Sequence, residues 1–146
     1  MPIVENLKEY AERATGLRRP GKRAVTNFVR QRKPHSVRFK DDGIVPNHPR
    51  WPLILYRGAV HLDEHHDPAA MFEDLFEANG WGDTWRNGIY DYMHYHSRIH
   101  EALGIARGKA RVRFGGARRI SRLDHAVAEL SQQRTKAAVI FVWRSI

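Results

Sequence analysis

The sequence predicts a mainly β chain, an antiparallel sheet or barrel with one short packing helix and an N-terminal arm. Between Ile89 and Phe114, three short segments alternate with a two-residue period and are separated by glycine-containing turns. That is the pattern of strands with one buried face. Residues 67–80 carry clear helix punctuation, and the basic first third mixes Gly and Pro among repelling cations, which breaks regular structure.

Taken in order, residues Val4 to Thr15 form a short helix on this reading, with Leu7, Tyr10, Ala11 and Ala14 on one face. "GLRRPGKR" (Gly16–Arg23) ends it, and a strand is expected near Val37–Phe39. Asp41 to Pro52 is turn chemistry, and Leu53 to Leu62 reads as a buried strand. The helix follows: Asp67 caps it, Pro68 suits its first position, and Asn79-Gly80 stops it. Met71, Phe72, Leu75 and Phe76 make one apolar face, read as packing.

Beyond it, Tyr90, Tyr92, His94 and His96 alternate with Ile89, Asp91, Met93 and Tyr95. Tyr90 and Tyr92 are read first as packing and second as pocket lining. Glu101, Leu103 and Ile105 share the face of a following strand; Ala110, Val112 and Phe114 share that of the next, opposite Lys109, Arg111 and Arg113. "LDHAVAEL" reads as helical, and "KAAVIFVWRSI" as a pairing strand or an exposed tail. The chain divides into residues 1–36 (helix and basic arm), 37–116 (the β unit) and 117–146 (an atypical basic segment).

Composition narrows the classes. At 146 residues and 42% apolar content the chain suits one packed domain. It has no cysteine, which excludes disulfides, thiolate catalysis and cysteine-based zinc sites. No apolar run approaches the ~18–20 residues of a membrane span, and no signal core precedes the basic segment, so a soluble cytoplasmic protein is expected. The net charge of +9 is segregated: Trp51–Gly108 holds 4 Lys/Arg against 9 Asp/Glu, between strongly basic flanks. Those cations lie outside the best-defined fold signals, and no groove-entering motif accompanies them, so nucleic acid is not an expected partner.

"HYHSRIHE" (His94–Glu101) carries the chemistry. Imidazoles two residues apart on a strand face one way, so His94 and His96 can chelate one ion as neutral nitrogen donors. On an uninterrupted strand His100 would join them. A turn at residues 97–100 instead lets Glu101 open the returning strand, on the inward face of Leu103 and Ile105. A carboxylate on an apolar face needs a counter-charge, which favours the turn. Polar or core histidines are the competing reading, since HxH alone is a weak signal. His61, His65 and His66 show no ligand pattern and are expected to be solvated.

Gly88, His94, His96, Glu101 and Gly108 reproduce the spacing G-x5-HxH-x4-E-x6-G. With "DDGIVPNHPRWPLILYRGAV" and "EANGWGDTWRNGIYDYMHYHSRIHEALGIARG", the chain resembles the YjlB-type branch of the cupin superfamily over Val37–Gly116. The resemblance implies a cupin-type antiparallel β-barrel with a divalent metal (Fe, Mn, Ni or Zn) on His94, His96 and Glu101. It assigns His100 no ligand role and identifies no catalytic residue. Cupins usually supply a further histidine from a second motif, G-x5-PxG-x2-H-x3-N. Here no proline follows Pro68 and no glycine follows Gly116, so that motif is absent and the implied barrel is incomplete. His125, within the helical-looking stretch, is a poor substitute. A reading-frame change near Gly115–Arg118 accounts for the abrupt change of composition. Two functions follow as expectations: a metal-binding protein acting on or binding a small molecule, or an inactive truncated or frameshifted remnant.

Overall fold

The computed structural model describes residues 16–41, 43–116, 126–131 and 138–145. The helix expected at Val4–Thr15 and the histidine at 125 lie outside the described residues. The described chain is mainly β with one α-helix: β1 (His35–Val37), β2 (Leu53–Leu55), α1 (Pro68–Ala78), β3 (Gly82–Asn87), β4 (Ile99–Arg107), β5 (Lys109–Phe114), β6 (Ala126–Ser131) and β7 (Ala138–Ser145). One 3-10 turn, Val25–Phe28, precedes them. No helix among the described residues is long and apolar enough to cross a membrane.

The strands form three antiparallel sheets: β1-β2, β3-β7-β4 and β5-β6. Among the described residues no sheet closes on itself. β7 is the middle strand of the largest, with Leu103 opposite Phe141 and Glu101 opposite Trp143. Its register with β3 shifts between Gly82 and Trp85, where Asp83 takes a φ of 53°, a left-handed conformation that Asp tolerates better than most residues. β4 and β5 are consecutive but do not pair with each other; Gly108, at φ 76°, turns the chain from one sheet into the next.

The helix forms where its punctuation placed it. Asp67 caps it, Oδ1 accepting from the Ala69 N–H at 3.2 Å. Phe72 and Phe76 pack against Ala69 and Ala106, seating α1 on β4. Gly104 makes this seat possible, since a Cβ there would overlap the Phe72 ring.

The stretch read as helical departs from expectation, for residues 126–131 are strand β6. Ala, Leu and Glu favour helices locally, but the segment takes up an antiparallel register with β5 instead. Phe114 faces Ala126, Val112 faces Ala128, Ala110 faces Leu130, and Arg111 faces Glu129. Residues 89–96 depart the other way: they alternate like a strand, yet have no ladder partner among the described residues and form an irregular loop between β3 and β4.

Residues 16–30 dock along the start of the helix. Arg18 forms a parallel bridge with His66, Val29 pairs with Val60, and Val25 and Met71 are fully buried. Arg19 reaches the polar face of α1, where its guanidinium meets Glu73 at 2.9 Å and Asp74 at 2.6 Å. Arg86 of β3 closes on Glu73 from the other side at 2.7 Å and on Asp67 at 2.9 Å. The Gly21 N–H donates to Asp74 at 2.7 Å. Glu73 and Asp74 are therefore buried, 8% and 2% exposed, with their charges compensated.

Candidate metal centre

β3 ends at Asn87, whose side-chain oxygen accepts from the Gly88 N–H at 2.8 Å. The chain then runs through the irregular loop, bends at Ser97 and Arg98, and enters β4 at Ile99. Glu101 is thus near the start of the returning strand. Two-residue alternation puts it on the β4 face of Leu103 and Ile105, where Ile105 is core.

The bend brings His94, His96 and Glu101 together. Each offers one ligand atom, and the three atoms lie within 4.8 Å of one another. Nε2 of His96 stands 3.9 Å from Oε2 of Glu101, wider than the roughly 3.0–3.4 Å between adjacent donors that share an ion at about 2.1 Å. The imidazoles of His94 and His96 meet edge to face, centroids 5.2 Å apart. His94 is exposed, whereas His96 is 27% and Glu101 22% exposed at the side chain.

The electrostatics mark this carboxylate as unusual. Oε1 of Glu101 is buried and has no hydrogen-bond partner among the described residues. Burial pushes the Glu101 carboxyl above its ordinary range, against a smaller opposing pull from His94. Burial also lowers the His96 imidazole, and His94 adds to that effect. A neutral imidazole is the form that ligates a metal, and a carboxylate short of partners is what a cation relieves. The donor set of two imidazoles and one carboxylate suits Fe, Mn, Ni or Zn and leaves positions open.

His100 points to a different neighbourhood: its ring meets Trp51 at 5.0 Å, and Trp51 meets His48 at 5.9 Å. His61 and His65 are exposed, as the sequence suggested, but His66 is not freely solvated. Its Nδ1 lies 2.8 Å from Asp63 and its ring packs on Phe28 at 5.0 Å. Tyr90 packs against Ile105, as first read, and the rings of Tyr90 and Tyr92 each also contact His94 at 5.5 Å. Spacing could not separate them from core residues, because the contacts depend on the path of an irregular loop.

No family model matches the chain, and no solved structure matches it. The chain is similar to "Uncharacterized protein YjlB" of Bacillus subtilis (strain 168), with 35% identity over 86 residues, which is 59% of this chain and 48% of that protein. It thus spans about half the length of the curated relative it matches.

Proposed function

We propose that the chain is a cupin-type metal-binding protein that holds one divalent ion on His94, His96 and Glu101. The buried Oε1 of Glu101, without a hydrogen-bond partner beside two imidazoles, carries this reading. A bound ion would supply Lewis acidity or oxygen activation toward a small molecule at its open positions. The chain's own residues do the rest. The loop presents His94 to solvent, the strand start withdraws Glu101 from it, and the low basicity of His96 keeps its ring neutral for ligation. The motif spacing supports a cupin-type barrel as the parent architecture.

The test is metal content. Purified protein, stripped and refilled with Fe2+, Mn2+, Ni2+ or Zn2+, is expected to retain about one ion per chain. Retention is lost in His94→Ala, His96→Ala and Glu101→Ala. Oxygen uptake and substrate screening on the loaded protein then separate an enzyme from a binder.

The absence of a second histidine motif after Gly116 favours a second reading, an inactive truncated or frameshifted remnant. It predicts an insoluble or metal-free product, and a shifted frame after the codon for Gly115 that encodes a PxGxxH sequence. Stoichiometric metal in the wild type, abolished by His94→Ala, rejects it.

A further inference from the structure

Tyr90 touches both the core beneath β4 and the loop that carries His94. It packs with Trp85, Ile89 and Leu103 around Ile105, on the face of β4 that carries Glu101. Its hydroxyl accepts a long hydrogen bond from Asn87 Nδ2 at 3.5 Å, at the end of β3. Its ring meets His94 nearly perpendicular, at 81° and 5.5 Å. Tyr92, 59% exposed, covers both from outside, 5.2 Å from Tyr90 and 5.5 Å from His94.

Metal-ligating histidines are normally oriented by a hydrogen bond from the second ring nitrogen to a carboxylate or carbonyl. Among the described residues nothing hydrogen-bonds the His94 ring, and its contacts are the rings of Tyr90, Tyr92 and His96. An exposed imidazole on an irregular loop would otherwise sample several rotamers, and ordering it costs binding free energy. We infer that Tyr90 is a positioning residue of this centre: its ring fastens the ligand-bearing loop to the core at Ile105 and fixes the plane of the His94 imidazole. The inference rests on the metal reading above.

Cobalt(II) titration tests it, followed by calorimetry and by the visible d–d bands that report coordination geometry. Tyr90→Phe keeps the ring and is expected to bind Co2+ within about two-fold of wild type, with the same bands. Tyr90→Leu keeps an apolar anchor but loses the edge-to-face contact; its affinity falls on the order of ten-fold, as when other orienting partners of ligands are lost, and the bands shift. Trp85→Leu damages the same core cluster from its other side. It lowers the melting temperature without moving the bands.

Wild-type affinity in Tyr90→Leu overturns the inference, and so does an equal loss of Co2+ binding in Trp85→Leu. If Tyr90→Leu fails to fold, Tyr92→Leu removes a ring contact from the solvent side. It is expected to weaken Co2+ binding about three-fold, and unchanged binding there counts against the inference. A wild type that binds no Co2+ removes the metal reading and this inference with it; a wild type that binds while Tyr90→Leu matches it removes this inference alone.

Discussion

Glu73 and Glu101 are both carboxylates withdrawn from water, and their surroundings are opposites. Glu73 accepts from Arg86 at 2.7 Å and 3.1 Å and from Arg19 at 2.9 Å, while its neighbour Asp74 takes Arg19 and the Gly21 N–H. Burial alone would raise the Glu73 carboxyl, but Arg86 first and Arg19 second outweigh it and hold it below its ordinary range. Glu101 has one oxygen buried with no partner among the described residues, and burial leaves its carboxyl raised. The first arrangement is complete within the chain and belongs to stability. The second leaves Oε1 without a hydrogen-bond partner among the described residues, and that contrast is the ground for proposing a bound cation there and not at Glu73.

Substitutions should separate the two. The largest effect is expected from Arg19→Ala, which strands the nearly inaccessible Asp74 and half of the Glu73 charge. Breaking a buried pair from one side costs about 3 kcal/mol or more, read as a lower urea midpoint at unchanged slope. The same junction should show in acid. Glu73 has a depressed carboxyl, so its contribution is full above its unfolded value near 4.5 and is lost as pH falls through the lower folded value. Glu73→Gln therefore lowers stability at neutral pH and flattens the acid limb of a stability-against-pH curve.

A smaller effect is expected at Gly104, on the strand that serves both regions. Gly104→Ala forces the Phe72 ring off β4, an overpacking cost of about 1–2 kcal/mol. Phe72→Leu in the same chain should restore part of the thermal stability. The smallest is expected from Glu101→Gln in metal-free protein. It removes a carboxylate whose Oε1 has no hydrogen-bond partner among the described residues, so stability stays within about 1 kcal/mol of wild type or rises. On the proposed metal reading, the wild type is expected to melt at a higher temperature with metal and this variant is not. A Glu101→Gln loss as large as that of Arg19→Ala would erase the contrast between the two carboxylates.

What could be read from the residues follows the range of the interactions. Asp67-Pro68 and Asn79-Gly80 punctuate a helix locally, and the helix is there. The bend before Glu101 is also local. Spacing alone left His100 as an alternative to Glu101, and the apolar residues that share the Glu101 face pointed to the turn that brings Glu101 near His94 and His96. Alternation worked for β4 and β5 but misled over residues 89–96, because it records an extended chain and says nothing of a ladder partner. "LDHAVAEL" failed for the converse reason: its helix-forming residues yield to a register set by β5. The burial of Glu73 and Asp74 was invisible because their partner Arg19 lies in a stretch that reads only as a break.

The position of β7 has a consequence for synthesis on the ribosome. It is the last strand in chain order among those described and the partner of both β3 and β4. Residues 16–30 and α1 can associate while the chain is still emerging, since their contacts are complete early. β3 and β4 cannot form their ladder until β7 is released, so during elongation both present unpaired edges. Glu101, opposite Trp143 in that ladder, acquires its final backbone frame only then. On the proposed metal reading, the pairing of β7 therefore comes before the ligand set is in place, and an ion bound there cannot guide the earlier steps of folding.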